Sequence, residues 1–300
     1  MSDDEYLNKV LEGQDLADDS EEMKELRQHR ADVESVLRRK FAESNPTIRY
    51  GGSKAKGTLI KESYDLDIAC YFAHDDTKPG ETLEDIYNSV KAALEEEYEV
   101  EPKTSAIRLL RKKDGTEFRK GFHIDVVPGR FTDESKSDCY LHQNGGDKQR
   151  LKTNLQVHID HVKDSGVVPA LRLLKLWKVR KALRVKQFAF ELLGIELLKD
   201  KKSASLSEQV KHVWTEIAES EEPIAIKDPA NPEGNDLMPF LREAWPELRS
   251  ASKATLKTLE EQGWEGVFGP LEESDERVRV GKLASAAAAV ARPTRPYGCA

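Results

Sequence analysis

The segment from Arg49 to Phe72, RYGGSKAKGTLIKESYDLDIACYF, contains the pattern from which the fold of the whole chain can be predicted. It predicts a short strand that ends at Tyr50, a glycine-rich turn over residues 51–53, one or two helical turns, and a strand that carries Asp65 and Asp67. Because side chains alternate between the faces of a strand, these two carboxylates project to the same side, with Cα atoms about 6.5–7 Å apart. That spacing suits a pair of metal ligands.

The residues around the two carboxylates are apolar and face the other way. Leu66, Ile68 and Cys70 are typical of a strand that packs on a core. Two neighbouring carboxylates raise each other's pKa unless a cation compensates their charge. Carboxylate oxygens favour Mg²⁺ or Mn²⁺, and the sequence shows neither Asp65 nor Asp67 with a nearby Cys or His partner that would indicate zinc.

A third carboxylate lies in the segment FHIDVVPGR, from Phe122 to Arg130. Asp125 is surrounded there by apolar residues in the alternating pattern of a strand, where a charged residue is rarely buried without a partner. Three carboxylates from two strands can bind a pair of metal ions about 3.5–4 Å apart, the arrangement that supports phosphoryl transfer.

Composition limits the class of protein. The 300 residues suffice for one large or two modest domains. Lys and Arg total 47 against 55 Asp and Glu, a net charge of -8, which predicts no general attraction to nucleic acid. Cys70, Cys139 and Cys299 are scattered, as in a protein with reduced thiols. With no membrane-spanning apolar run and no signal core at the acidic N-terminus, we expect a soluble cytoplasmic protein without a membrane partner.

The first half of the chain predicts an α+β core. We expect residues 1–19 to be flexible and residues 20–150 to form the core. The apolar periodicity predicts a long helix from Ser20 to Ala42 and a second helix from Glu81 to Glu97. A further strand from Ser105 to Arg111 then completes a mixed sheet that is covered by helices on one face.

The second half predicts a helical lobe over residues 151–280. His158 and His161 share one predicted helix, but no further ligand lies near them in the sequence, so hydrogen-bonded or solvated histidines are favoured over a metal site. The predicted helices are Leu151–Asp164, Val168–Leu183, Phe188–Leu198, Ser205–Glu219 and Leu237–Gln262.

One of these helices is unusually basic. A run of charges is usually a solvated helix face, but Lys175 lies between Leu174 and Leu176, close to the apolar stripe. A lysine in that place needs an anionic partner, and a nucleoside triphosphate would supply one.

The spacing of these motifs resembles the polymerase-β-like nucleotidyltransferase superfamily. Gly52-Ser53 is followed after eleven residues by Asp65-Leu66-Asp67 and later by Asp125. In that superfamily a Gly-Ser turn at a helix N-terminus grips nucleotide phosphates, where backbone N–H groups favour anions. The three acids there hold two Mg²⁺ ions, for which Mn²⁺ can substitute. The resemblance therefore implies that Gly52 and Ser53 bind nucleotide and that the three aspartates are catalytic metal ligands.

The second half resembles the helical lobe of oligoadenylate synthetases and of the bacterial CD-NTases, which are relatives of cyclic GMP-AMP synthase. The segments that carry this resemblance are RLLKLWK, QFAFELLGIE and IKDPANPEGN, the last from Ile226 to Asn235. The resemblance implies that Lys175 and Gln187 contact the triphosphate and that Phe188 lies against a nucleotide base, although an aromatic residue at helical spacing is equally typical of core packing. We interpret the DPANP segment as structural.

The family resemblance also implies a function. The expected enzyme has its active site in the cleft between core and helical lobe, and it condenses ATP and other NTPs into a cyclic di- or trinucleotide messenger, with release of pyrophosphate. Nucleic acid is not required. In CBASS antiphage signalling a downstream effector binds the product, and in some operons a conjugating regulator acts on the enzyme's C-terminal tail. Residues 281–300, which end in Gly298-Cys299-Ala300, are the corresponding flexible tail here.

Three alternatives stay open on the sequence. A CCA-adding or poly(A)-type enzyme shares the acids but needs a basic RNA surface. A small-molecule nucleotidyltransferase would modify an antibiotic-like acceptor instead. A nucleotide-binding sensor without catalysis is disfavoured, because Asp65, Asp67 and Asp125 are all present.

Overall fold

The computed structural model describes residues 1–119, 122–145 and 148–271, in which a mixed β-sheet is followed by a group of helices. The strands of the sheet are β1 (Thr47–Tyr50), β2 (Leu66–Phe72), β3 (Tyr98–Pro102), β4 (Ile107–Lys112), β5 (Ile124–Phe131), β6 (Cys139–His142) and β7 (Arg150–Thr153). Their order is β1-β2-β5-β4-β3, with β6 paired to β5 and β7 to β6. β2 and β5 are parallel, whereas the other neighbours are antiparallel.

Two helices pack in one core with the apolar side chains of β2, β4 and β5. They are α2 (Glu21–Lys40) and α4 (Leu83–Glu95), and a short helix, α3 (Gly52–Lys56), follows β1. Ser20 caps α2 and Thr82 caps α4, each by accepting a backbone N–H with its hydroxyl oxygen. Both long helices are confirmed to within a few residues, because capping residues mark where the backbone can enter a helix.

The second half packs around two tryptophans in a separate core. Trp177 and Trp214 lie with ring centroids 5.7 Å apart, and Trp177 Nε1 donates to Thr255 Oγ1 at 2.8 Å. The long final helix contains Gly263 at φ 68°, a conformation that breaks the helical path. The helices are α5 (Leu155–Lys163), α6 (Val168–Arg180), α7 (Gln187–Leu197), α8 (Leu206–Glu219) and α9 (Met238–Phe268).

The N-terminus differs from the flexible segment predicted for residues 1–19. Asp3–Gly13 is a helix, α1, which begins at a capping box between Ser2 and Glu5. Its buried residues Tyr6, Leu7, Val10 and Leu11 repeat at helical spacing and join the core of the second half. The prediction was wrong because it weighed the acidic composition of the segment and overlooked this apolar face.

The start of the second half also differs from the prediction. The helix predicted from Leu151 begins only at Leu155, because Asn154 caps it by accepting the Val157 N–H. The preceding residues form β7, which pairs with β6 and extends the sheet. Tertiary pairing therefore decides the structure of a segment that is too short for its own periodicity to do so.

Some expectations concern residues that the structure does not describe. The predicted tail over residues 281–300 and the part of the helical lobe beyond residue 271 lie outside the described residues. Among the helices that are described, none combines the length and the apolarity that a membrane span requires.

Candidate active site

The pairing of two parallel strands brings the three predicted carboxylates together. In the register of β2 and β5, Asp67 lies directly opposite Asp125, at the separation of about 4.8 Å between neighbouring strands. Asp65 immediately precedes β2, and the Leu66 N–H beside it donates to the His123 carbonyl at 3.1 Å. The three side chains Asp65, Asp67 and Asp125 are called the acidic cluster below.

The glycine turn after β1 closes over the acidic cluster. The Gly51 N–H donates to the Asp67 carbonyl at 2.8 Å. Gly52 has φ +52°, and a Cβ placed on it would lie 1.6 Å from Asp67 Oδ2. The contact explains why this position needs glycine. Ser53 follows in the first turn of α3, so the predicted Gly52-Ser53 motif lies beside the carboxylates.

Replacing Gly52 with alanine is expected to destabilise the protein and to displace Asp67. A left-handed alanine is unfavourable by about 1–2 kcal/mol, and the collision with Asp67 Oδ2 adds to that loss. Gly57→Ala is the matched control, because Gly57 has φ +76° with no neighbouring atom within 4 Å of an added Cβ. Urea denaturation should give a larger loss for Gly52→Ala. Equal losses would show that the contact with Asp67 is unimportant.

The electrostatics of the acidic cluster are unfavourable. Burial, then repulsion by Asp125 and by Asp65, raise the pKa of Asp67 to about 6. Such a shift is expected for a buried carboxylate that lies near others of the same charge.

Two basic side chains that sequence reasoning missed lie against the acidic cluster. Arg108, opposite Asp125 in the register of β4 and β5, donates from Nε and Nη2 to the two Asp125 carboxylate oxygens, both at 2.8 Å. His123 Nδ1 lies 3.0 Å from Asp65 Oδ1, and its Nε2 lies 3.7 Å from Asp125 Oδ2. Burial lowers the pKa of His123, but the bond to Asp65 and the charges of both carboxylates outweigh burial and raise the pKa overall.

The structure thus corrects the expectation that the carboxylates have no nearby histidine. His123 was detectable in principle, since it lies two residues before Asp125 on an alternating strand and shares its face. Arg108 was not, because only the pairing of β4 with β5 reveals that it faces Asp125.

The acidic cluster has donors that suit Mg²⁺ or Mn²⁺. Carboxylate oxygens are the ligands these ions prefer, and the raised pKa of Asp67 indicates charge that a cation would compensate. Across the described ranges, no three His, Cys, Asp or Glu side chains already converge as metal ligands do. Arg108 occupies both oxygens of Asp125 in this arrangement. The residues therefore fit the ion, provided that Asp125 turns part of its carboxylate away from Arg108.

A group of lysines, of which Lys56 and Lys175 are buried, lies where α3 meets α6 and α7. Glu191 of α7 is 1% exposed, forms an ion pair with Lys56 of α3, and accepts a hydrogen bond from Thr58 Oγ1 at 2.8 Å. Lys175 of α6 is 4% exposed and donates to the Thr58 carbonyl at 3.3 Å. Lys178 donates to Gln187 Oε1 at 3.0 Å. Lys56, Lys175 and Lys178 are called the lysine cluster below.

The charge of Glu191 acts on Lys175, whose ammonium group donates to a backbone carbonyl. Burial lowers the pKa of Lys175 to about 8, and Glu191 opposes this shift. The sequence analysis did not single out Lys56 or Glu191. Both had a signal in the sequence, because Lys56 follows Ser53 by three positions and Glu191 interrupts an apolar helix. Gln187 also reaches Glu191, with Nε2 3.4 Å from Oε1.

The acidic and lysine clusters act on each other electrostatically. The charge of Lys56 opposes the upward shift of the Asp67 pKa. The charge of Asp65 opposes the downward shift of the pKa of Lys175 and of Lys178. With one glutamate among three lysines, the lysine cluster has surplus positive charge. An anion that bridges the two clusters would be attracted by the lysines and repelled by the carboxylates, unless metal ions accompany it.

Replacing Lys175 with methionine is expected to stabilise the protein at pH 7, by about 1–3 kcal/mol. The folded protein releases the Lys175 proton at pH about 8, whereas the unfolded chain holds it to about 10.4. Between these values the unfolded state binds more protons, so wild-type stability rises with pH through this residue. The advantage of the Lys175→Met variant should therefore shrink from pH 8 to pH 10.

Urea denaturation at several pH values measures this difference, with the exposed Lys181→Met as control. A constant difference between Lys175→Met and wild type across pH 7–10 would contradict a lowered pKa for Lys175.

The predicted base-contacting residue Phe188 has both polar and apolar neighbours. Its ring packs against the helical core, lies 5.1 Å from Lys56 Nζ, and has its centroid 4.6 Å from that of His158. His158 Nε2 in turn donates to Asp228 Oδ1 at 2.7 Å. The expectation of a hydrogen-bonded histidine is thus confirmed for His158.

No family model matches the chain, and no curated protein matches it. Solved structures do match. CdnC from E. coli MS115-1, solved with ATP, is 17% identical with a TM-score of 0.66, covering 91% of this chain and 99% of that one. CdnE from Elizabethkingia meningoseptica is a cyclic dinucleotide synthase that was solved with GTP and Apcpp. It is 16% identical with a TM-score of 0.61, and the match covers 85% of this chain and 99% of that one.

A third structure extends the comparison to another CD-NTase. CdnG from Bradyrhizobium diazoefficiens, solved with GTP, is 15% identical with a TM-score of 0.58, covering 94% of this chain and 97% of that one. The chain therefore has the fold of these CD-NTase structures, a mixed sheet with helices that is followed by a helical second part. The predicted α+β fold class is confirmed.

Proposed function

We propose that the protein is a CD-NTase that condenses ATP and other NTPs into a cyclic di- or trinucleotide, with release of pyrophosphate. The observation that carries the proposal is the register that sets Asp67 opposite Asp125, with the Gly52 backbone against Asp67. Support comes from the shared fold, since Vibrio cholerae DncV, a cyclic AMP-GMP synthase, has been solved with the linear intermediate pppA(3',5')pG. The active site lies between a core at residues 20–150 and a helical lobe at residues 151–280.

In this proposal Asp65, Asp67 and Asp125 hold two Mg²⁺ ions, or Mn²⁺ in their place. When bound, the ions polarise the α-phosphate and lower the pKa of the attacking ribose hydroxyl. Arg108 fixes the plane of the Asp125 carboxylate through its paired hydrogen bonds. His123 holds Asp65 by a single contact, from Nδ1 to Oδ1.

The remaining residues hold and orient the nucleotide. Backbone N–H groups of the turn at Gly52 and Ser53 bind the terminal phosphates, and Ser53 adds its hydroxyl. Lys175 and the rest of the lysine cluster offset their negative charge, Gln187 contacts the triphosphate, and Phe188 lies against a base. The ribose oxygen attacks the α-phosphorus in line as the bond to pyrophosphate breaks, and a second such transfer closes the ring.

The proposed biological role is antiphage signalling in the cytoplasm. A solved complex of E. coli CdnC with HORMA-ΔN shows that one protein of this fold has a protein partner. By analogy, we extend the proposal to an operon-encoded regulator that acts on residues 281–300 and to an effector that binds the product. Nucleic acid and membrane are not needed for this activity.

The test is a product assay with purified protein. The four radiolabelled NTPs, singly and together, are incubated with Mg²⁺ or Mn²⁺, with and without added RNA, then treated with phosphatase and separated. An Asp65→Asn, Asp67→Asn double variant is the control. A phosphatase-resistant small product that needs no RNA and disappears in the variant is the expected result.

Other outcomes would replace the proposal. Label that enters only added RNA would identify a tail-adding enzyme. Transfer to an aminoglycoside or another small acceptor would identify a small-molecule nucleotidyltransferase. A product that persists in the double variant would refute the role of the acidic cluster.

A further inference from the structure

His158 of α5 lies one helical turn after a residue that approaches the glycine turn. Leu155, one turn earlier on α5, approaches the turn so closely that a Cβ on Gly51 would lie 3.8 Å from Leu155 Cδ1. Residues three apart on a helix share a face. Helix α5 therefore carries the His158 imidazole along the same side as the proposed phosphate site.

The imidazole of His158 is held from two directions. Its Nε2 donates to Asp228 Oδ1 at 2.7 Å, and its ring lies 4.6 Å from the Phe188 ring at an interplanar angle of 47°. The side chain remains 19% exposed. The two rings thus form a small aromatic surface, with Lys56 over Phe188 at 5.1 Å on the side of the lysine cluster.

Asp228 is held in place to orient the His158 ring by further hydrogen bonds of its own. It is 1% exposed, and it also accepts hydrogen bonds from the Ala230 N–H at 2.8 Å and from Asn235 Nδ2 at 2.6 Å. Burial raises its pKa, but the bonds from His158 and Asn235 outweigh that effect and lower the pKa overall. An ionised carboxylate only accepts hydrogen bonds, so the proton of His158 is kept on Nε2 and the ring plane is fixed.

We propose that His158 contacts the base of the bound NTP beside Phe188, and that Asp228 is the positioning residue for its ring. This inference rests on the proposed function, since it assigns the base subsite of the same active site. It gives the IKDPANPEGN segment a role in substrate binding, through the Asp228 carboxylate. A fixed ring binds a base with less loss of side-chain freedom than a mobile one.

The test compares a ligand with a base to a ligand without one. Isothermal titration calorimetry with Mg²⁺ measures the Kd of α,β-methylene ATP and of inorganic tripolyphosphate for each variant. Loss of one stacked ring typically weakens nucleotide binding about 10-fold or more, so His158→Ala should raise the Kd of α,β-methylene ATP by that factor and leave tripolyphosphate unchanged. His158→Phe should restore most of the affinity, because it restores a ring.

Two further variants make the test specific. His161→Ala is the matched control, because His161 is an exposed histidine on the same helix, and neither Kd should change. Asp228→Asn should raise the Kd of α,β-methylene ATP about threefold, less than His158→Ala, because a ring that is merely loosened still spends part of its time in place. The ratio of the two Kd values is insensitive to a general loss of stability.

The outcomes are distinguishable. If His158→Ala weakens both ligands equally, or neither, His158 has only a structural role and the inference is overturned. If wild-type protein binds tripolyphosphate and α,β-methylene ATP equally well, the base has no subsite here and the inference also fails. If wild type binds neither ligand, the proposed function itself is wrong.

Discussion

Asp67→Asn should lower the rate of NTP condensation by about 1000-fold or more, the typical loss when one essential catalytic group is removed. Asparagine keeps the volume beside Gly52 but withdraws the negative charge that a metal ion needs. The stability of the folded protein should not decrease, because burial and the neighbouring carboxylates already disfavour the charge on Asp67. Turnover assays and thermal denaturation of the same preparation measure both effects.

The metal dependence of stability gives an independent readout for the same variant. Wild-type protein should melt at a higher temperature when Mg²⁺ or Mn²⁺ is added, since a ligand of the folded state stabilises it. In Asp67→Asn the melting temperature without metal should rise, and the response to metal should shrink. Asp160→Asn, at an exposed aspartate of α5, should behave as wild type. Retained turnover in Asp67→Asn would refute the metal assignment.

Glu191→Ala should destabilise the protein by about 3–5 kcal/mol, the range observed when one partner of a buried ion pair is removed. The substitution leaves the lysine cluster without its internal counter-charge, and Thr58 Oγ1 loses its acceptor. Urea denaturation measures the loss. Glu196→Ala on the same helix is the control, because its pair with Lys199 is exposed and such pairs contribute about 1 kcal/mol or less.

A double variant separates lost charge from lost packing. Lys56→Met with Glu191→Leu replaces the ion pair by apolar side chains of similar size and should recover much of the stability. Because it also removes Lys56, a member of the lysine cluster that is proposed to offset the phosphate charge, nucleotide binding should not recover. If Glu191→Ala proved as stable as wild type, the lysine cluster would have to be solvated rather than buried.

The acidic cluster was predictable because its residues follow the two-residue repeat of strands. Asp65 and Asp67 had to share a face, and Asp125 lay in a second alternating segment. What could not be predicted was the neighbourhood of these residues. Lys56 and Glu191 are 135 residues apart, and only the tertiary fold brings them together.

Local signals also failed in specific places. Residues 150–153 contain too few positions for a period to be recognised, so their pairing with β6 decided the outcome. The segment that forms α1 was predicted to be flexible from its acidic composition, although it contains four apolar residues that are buried in the structure. Ser20, Thr82 and Ser205 are cap residues, and each lies where a helix begins.

The parallel register of β2 and β5 has a consequence for how this sequence can change in evolution. The positions of the carboxylates are set by backbone hydrogen bonds, so most side chains around them can be exchanged for others of similar volume, in keeping with 17% identity to a protein of the same fold. Gain or loss of a single residue within either strand is different. It would rotate every later side chain to the opposite face of the sheet. These strands should therefore accept many substitutions and no change of length.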